Sequence, residues 1–407
     1  MTRAPRVLHV ITGLGVGGAE HQLRLLLRHL PVRCDVVTLT NPGPVAAGLR
    51  ADGVRVTDLG MRGNRDLAAL PRLTRLIRSG GYDLVHTHLY RACVYGRVAA
   101  RLAGVRTVVA TEHSLGAAEI EGRPLTAGTR ALYRATERLG TATVAVSATV
   151  AERLAGWGVP GGRIHTVPNG VDADRFRFDA GVRAAVRASL GVPPGAFAVG
   201  GVGRLVPGKR FDALVRAVAA VAAGEGREVV LLIAGDGPER GALERLAARL
   251  GVADRVRLLG ECAQEAGAGG GAPSVAELLG ALDLFVSTSV EEAFGLAVVE
   301  ALAAGLPVLY RTCPAVEDLP PHEAPGARRV EGDDALARAL RERVAAGARR
   351  SAVAPVVERY AMARTAEQVM DVYRRALAAR GRAGRPAPPP GRPREHHHPN
   401  PIGRTSR

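Results

Sequence analysis

Twice along the chain, short runs of Val, Leu, Ile and Ala alternate with amphipathic stretches long enough for helices, and each series opens on a strand that ends in glycines. In the first series strands are predicted at 6–12, 36–41, 54–59, 83–86, 107–110 and 143–146, with helices at 19–30, 66–79 and 91–103 between them. The second restarts at 197–203 and continues through strands at 229–234, 257–260 and 282–286. Strand and helix in strict turn predict an α/β, doubly wound parallel sheet, because parallel neighbours need a long crossover and the crossover is usually a helix. At 407 residues the chain is too long for one core, so each series is expected to be a domain of its own. The boundaries read from the sequence are 1–175 for the first domain, 176–195 for a linker and 196–355 for the second domain.

The net charge of +16 raises nucleic acid or an anionic membrane as a partner. Part of it is local, since residues 381–407 carry six Arg against one Glu. Elsewhere basic residues mix with acidic ones, without the aromatic interleaving of a single-strand binder, so no nucleic-acid partner is expected. Lys209 is the only lysine among 55 basic residues, which suggests that a compact point charge is wanted there. Cys34, Cys93, Cys262 and Cys313 form no CxxC pair and no metal-ligand spacing. Only MTRAPR precedes the first strand and no apolar run reaches transmembrane length, so a cytoplasmic protein is expected. The helix at 66–79 sets Arg72, Arg75 and Arg78 beside an apolar stripe. It can lie on an anionic membrane as a peripheral contact, or pack on its own sheet, as such helices commonly do.

Several motifs sit at strand ends, where a doubly wound sheet opens a crevice. Gly13-Leu14-Gly15-Val16-Gly17-Gly18 spells GxGxxG, yet the following strand ends without the acidic residue that would hold a dinucleotide ribose. Gly17 and Gly18 still let backbone amides approach an anion at a helix start. His88 and the Thr111-Glu112-His113-Ser114 stretch follow two neighbouring strands. Gly203-x4-Gly208-Lys209 nearly spells a P-loop, but Arg210 stands where Ser or Thr must ligate magnesium. Glu292 closes the loop after the strand at 282–286, and Glu300 lies eight residues later on an Ala/Leu-rich helix. That helix start offers the amides of Phe294, Gly295 and Leu296 to an anion, and a carboxylate at Glu300 can accept two vicinal hydroxyls. The plain alternative is a solvated glutamate in a turn and a second on a helix surface.

The Glu292-x7-Glu300 frame with Phe-Gly-Leu inside it, together with Arg204-x4-Lys209, resembles the donor-site signature of retaining GT-B glycosyltransferases of the family-4 type (glycosyl transferases group 1). The resemblance in element order runs over residues 6–379. It implies two Rossmann-like domains facing a cleft, with a helix at 356–380 crossing back to the first domain; the Pro/Arg-rich composition of 381–407 predicts a disordered tail. The implied reaction moves a hexosyl or N-acetylhexosaminyl group from a UDP- or GDP-linked sugar to a hydroxyl acceptor, with retention and with neither metal nor other cofactor. The resemblance gives catalytic roles to His113, Arg204, Lys209 and Glu292. It gives donor binding to Gly17, Gly18, Arg204, Lys209, Glu292, Phe294, Gly295, Leu296 and Glu300, and acceptor-side roles to His88 and to Asn169 in the PNGVD turn. Two stretches depart from the pattern: a glycine loop at 263–273 and the segment 311–326. A soluble small-molecule acceptor is the expectation; a lipid-linked acceptor at a membrane and a nucleotide-sugar epimerase are the alternatives.

Overall fold

The computed structural model describes residues 4–63, 66–116, 119–120, 123–224, 227–263 and 272–383. Most of the expected glycine loop at 263–273, and the tail from 384 on, lie outside the described residues. The first series forms β1 (Arg6–Ile11), α1 (Gly18–His29), β2 (Arg33–Thr38), α2 (Gly43–Ala51), β3 (Arg55–Asp58), α3 (Ala69–Gly80), β4 (Leu84–His88), α4 (Tyr90–Leu102) and β5 (Val108–Glu112). A short hairpin, β6 (Glu119–Ile120) with β7 (Arg123–Pro124), precedes α5 (Ala127–Glu137), β8 (Ala142–Ala145), α6 (Ala148–Gly156) and β9 (Ile164–Thr166). The seven-stranded sheet runs β3-β2-β1-β4-β5-β8-β9.

The second series forms α7 (Ala180–Ser189), β10 (Phe197–Val202), α8 (Phe211–Ala222), β11 (Val229–Ala234), α9 (Arg240–Arg249), β12 (Val256–Gly260), α10 (Val275–Ala281) and β13 (Leu284–Ser287). It ends with α11 (Leu296–Ala303), β14 (Val308–Tyr310), α12 (Pro314–Glu317), β15 (Ala327–Arg329), α13 (Asp333–Ala346), α14 (Pro355–Arg359) and α15 (Met362–Ala383). Its six-stranded sheet runs β12-β11-β10-β13-β14-β15. All pairs in both sheets are parallel. The strand order reverses between β1 and β4 and again between β10 and β13, and at such a reversal the adjacent loops part and leave a crevice. The loops after β1 and β4 carry Gly17, Gly18 and the end of β4; those after β10 and β13 carry Lys209 and Glu292.

Two local expectations change. The stretch 176–195 is more than a linker, because α7 forms within it, capped by Asp179, whose Oδ1 accepts from the Val182 amide at 2.8 Å. Arg183 and Arg187 each reach a different oxygen of the buried Asp283 at 2.5 Å, and Asp283 Oδ2 also accepts from the Ala198 amide at 2.9 Å. Arg350 adds bonds to the carbonyls that end α10, at 2.6 Å from Gly280 and 3.0 Å from Leu282. This cluster ties α7 to the second domain. Removing its one buried carboxylate, by Asp283→Ala, is expected to cost about 3–5 kcal/mol, since two partly buried guanidiniums lose their counter-charge. A chemical denaturation curve checks this, and a loss under 1 kcal/mol contradicts it.

The helix expected at 356–380 is broken at Tyr360-Ala361. There the backbone pairs with Val171 instead: the Val171 amide donates to Tyr360 O at 2.7 Å and the Met362 amide to Val171 O at 3.1 Å. These bonds compete with the helical ones and divide it into α14 and α15. Past the break, Thr365 donates to the Pro168 carbonyl at 3.1 Å, which seats α15 on the first domain. The apolar stripe of α3 is turned inward, with Leu73 and Ile77 buried against Leu8 and Val10, so the helix packs on its own sheet. Its Arg72 pairs with Asp66 at 3.1 Å and its Arg78 donates to the Leu102 carbonyl at 2.6 Å. Among the described residues no helix is long and apolar enough to cross a membrane.

Candidate functional site

β10 and β13 are hydrogen-bonded neighbours, so the loops that leave their ends run side by side. Thr288 donates to the Lys209 carbonyl at 2.7 Å and the Val290 amide to the Gly208 carbonyl at 3.0 Å. This joins the two loops into one rigid rim. On it Lys209 Nζ meets Glu292 Oε1 at 2.5 Å, an ion pair between residues 83 apart in sequence. Both side chains keep some exposure, 25% and 18%, so the ammonium is fixed yet still reachable by an anion. Arg204, on the loop after β10, is exposed, and among the described residues its side chain makes no hydrogen bond or ion pair. The nearby carboxylate of Glu20, from the first domain, feels its charge: burial raises the Glu20 pKa and Arg204 opposes the rise.

Gly295 precedes α11 with φ of +100°, a conformation that disfavours side chains, and a Cβ there would stand 2.4 Å from Cys313 Sγ. Thus the segment 311–326 packs behind the loop that follows β13. Gly295→Ala is expected to destabilise by about 1–3 kcal/mol through the left-handed backbone and this collision. Cys313→Ala in the same chain should relieve the collision alone; full recovery in a thermal melt would contradict the backbone part. The Phe294 side chain is buried and packs edge-on against Tyr360 with ring centroids 5.0 Å apart. As a side chain it belongs to the core, which leaves its amide, the group the sequence points to, for an anion. Leu296 stands at the front, its Cδ1 3.3 Å from where a Cβ of Gly18 would lie. Gly18 therefore lets the start of α1 close on the start of α11.

Glu300, one turn into α11, is partly buried, and its carboxyl is pushed up to about 7 by that burial, with Arg175 opposing the rise. Arg175 sits on a single 3-10 turn, Ala173–Phe176, between the domains.

On the first-domain side two expectations need correction. β4 runs two residues further than expected, so His88 is the last residue of a buried strand rather than a loop residue, and it is 1% exposed. Asn169 is also buried; the turn it sits in is gripped by Gln22, which donates to the Gly170 carbonyl at 2.7 Å and accepts from the Gly170 amide at 2.9 Å. Both line a small cavity with His113 and Thr111. Glu112 is likewise internal, accepting from Tyr133 Oη at 2.7 Å. His113 follows β5 and is partly exposed.

The register explains a feature the sequence reading passed over. His9 pairs with His86 across β1 and β4, and His88 with Thr111 across β4 and β5; side chains in register on parallel strands point to the same face. His9, His86 and His88 thereby converge, with nitrogens within 4.8 Å of one another. A metal would need three lone pairs turned to one point. Here both His86 nitrogens are engaged, with Tyr373 Oη and Thr111 Oγ1 at 2.7 Å each, and His9 Nδ1 is 3.0 Å from His88 Nε2. The cluster is a hydrogen-bonded core and does not present a metal cage.

Three site neighbours were not anticipated. Glu20 lies one turn into α1, where its acid at a helix start was the available signal. Arg175 and the Arg153–Glu291 pair, 3.0 Å apart and joining α6 to the loop after β13, depend on how the domains meet and left no local signal.

This geometry fits what known proteins resemble it. Residues 16–175 match the family described as Glycosyltransferase Family 4, and residues 196–345 match Glycosyl transferases group 1. A D-inositol 3-phosphate glycosyltransferase of Saccharomonospora viridis is 34% identical over 333 residues, which cover 74% of this chain and 72% of that protein. A GDP-mannose-dependent alpha-mannosyltransferase of Mycobacterium tuberculosis is 33% identical over 329 residues, covering 77% and 81%. Among solved structures, Anabaena HepE in complex with UDP and glucose matches with a TM-score of 0.76 at 22% identity, over 91% of this chain and 100% of that one. The chain belongs to the family-4, group 1 glycosyltransferases, enzymes of GT-B architecture that use nucleotide sugars.

Proposed function

We propose that the protein transfers a hexosyl group from a UDP- or GDP-linked sugar to a hydroxyl of a small, soluble, polar acceptor, with retention at the anomeric carbon and without a metal. The observation that carries this is the pair of loops at the strand ends: Lys209, fixed by Glu292 from the loop before α11, and the exposed Arg204 five residues before it on the loop after β10. Two cations and the α11 amides suit a diphosphate, and they stabilise it most as it departs and gains charge. Glu300 takes the two ribose hydroxyls of the nucleotide, and the His113 imidazole faces the sugar. As the anomeric C–O bond breaks, its electron pair goes to the departing phosphate oxygen. The acceptor oxygen bonds to the same face and its proton passes to that phosphate. The relatives that act on D-inositol 3-phosphate and use GDP-mannose give the first acceptors and donors to try.

The test is a matrix of UDP-, GDP- and ADP-sugars against inositol phosphates and simple polyols, in excess EDTA, with products read by mass spectrometry and by the proton coupling at the new anomeric centre. One donor–acceptor pair giving the retained anomer in EDTA is the expected result. An inverted anomer, or turnover that returns only when a divalent cation is added back, overturns the corresponding part. Release of an altered nucleotide sugar with no acceptor present favours an epimerase.

A further inference from the structure

Three histidines form one line of hydrogen bonds that ends at the site. His9 Nδ1 lies 3.0 Å from His88 Nε2, and His88 Nδ1 lies 3.1 Å from His113 Nε2. Both end atoms, His9 Nε2 and His113 Nδ1, are buried and have no hydrogen-bond partner among the described residues. Burial lowers the pKa of His9 to about 3 and that of His113 to about 4, and holds His88 well below its ordinary value, with the neighbouring imidazoles adding to the effect. All three rings are neutral at pH 7, so each has one N–H and one lone pair. A line of such rings has two arrangements, because every hydrogen bond must run the same way. In one, every proton sits on Nδ1 and the lone pair left over is at His9 Nε2. In the other, every proton sits on Nε2 and an N–H is left over at His9, deep in the sheet.

Each arrangement leaves one N–H and one lone pair without a partner, and the unpaired N–H costs less on His113, which is partly exposed, than on His9, which is fully buried, so the first arrangement is favoured. It leaves an N–H at His113 Nδ1, at the end of the line nearest the crevice. We propose that His9 and His88 are positioning residues that hold His113 in its Nδ1–H form, and that this N–H donates to an oxygen of the bound sugar. The inference rests on the reading of His113 as facing the sugar, and it adds the tautomer and the residues that set it. The missing acceptor for Nδ1 comes with the ligand.

The experiment is nitrogen NMR on the full-length protein labelled with 15N-histidine, first alone and then with the donor found above. The expected result is a protonated Nδ1 on His9, His88 and His113, with the His113 Nδ1 signal moving when the donor is added. A His113 protonated on Nε2 in the free protein overturns the proposal, whether or not the protein proves to be a transferase. A protonated Nδ1 that does not move on donor binding overturns its second half. His88→Asn keeps a side-chain N–H near the position of Nδ1, whereas His88→Leu removes it. The leucine variant should raise the donor KM roughly three- to tenfold, the worth of one hydrogen bond, with the asparagine variant close to the parent. Equal impairment in both assigns His88 a packing role and overturns the positioning role. Should the leucine variant not fold, the asparagine variant still decides: it must keep the His113 proton on Nδ1.

Discussion

Lys209→Ala lowers kcat/KM for the nucleotide sugar by roughly 100- to 1,000-fold, the range seen when one preorganised donor to a developing anion is removed. Two effects act in the same direction. The ammonium 2.5 Å from Glu292 is lost, and with it one of the two cations proposed to meet the leaving diphosphate. The freed Glu292 carboxylate then repels that diphosphate. Because charge on the leaving group grows toward the transition state, most of the loss should appear in kcat, with a smaller share in KM. Glu292→Gln removes the anchor but not the cation and should cost less. Lys209→Arg should not restore the parent, since a planar fork cannot take the place of a point charge on a short rim. Steady-state kinetics on the donor identified above check the series. A Lys209→Ala enzyme within threefold of the parent would place the diphosphate elsewhere and remove the main support for the proposed mechanism.

Glu300→Gln abolishes the rise of donor affinity with pH while making the free protein more stable in alkali. The Glu300 carboxyl is pushed up to about 7 by burial, with Arg175 opposing. Only the ionised form accepts two hydroxyls without giving up a lone pair to a proton, so the donor should bind well above pH 7 and lose up to about tenfold in affinity per pH unit below it. The sign for stability is the reverse. A carboxyl whose pKa is raised in the folded state contributes stability that is full below its unfolded value near 4.5 and is lost as pH rises through 7. At pH 8 the free enzyme therefore carries the cost of an ionised, partly buried carboxylate, and glutamine relieves about 1–3 kcal/mol of it. Calorimetric titration with the nucleotide at pH 6, 7 and 8, beside melting curves of the free parent and variant, measures both. A variant that keeps the affinity and its pH dependence shows that another group holds the ribose.

The two sheets, their helices and the placing of Lys209 and Glu292 on loops at strand ends were legible in the sequence because each rests on short-range patterning, whereas the ion pair between them, 83 residues apart, was not. Apolar runs of four to six residues define buried parallel strands, and the loop that follows such a strand must open at its carboxyl end. Errors came where a competing partner lay far along the chain. The helix expected at 356–380 breaks because Val171 offers backbone bonds at Tyr360 and Met362, and the stretch 176–195 folds into α7 because Asp283 binds its arginines. Phe294, His88 and Asn169 sit in chemically suggestive motifs, yet their side chains are buried.

Sequence alone determined that this chain makes two parallel α/β domains with a cationic rim and a carboxylate at the start of one helix. Tertiary structure alone decided that Glu20 lies near Arg204, that Arg175 faces Glu300, and that His9, His88 and His113 share one line of hydrogen bonds. Hydrophobic periodicity is fixed within a few residues, whereas a contact between strands 79 residues apart, or between domains, exists only after sheet order and register have been chosen by the packing of the whole.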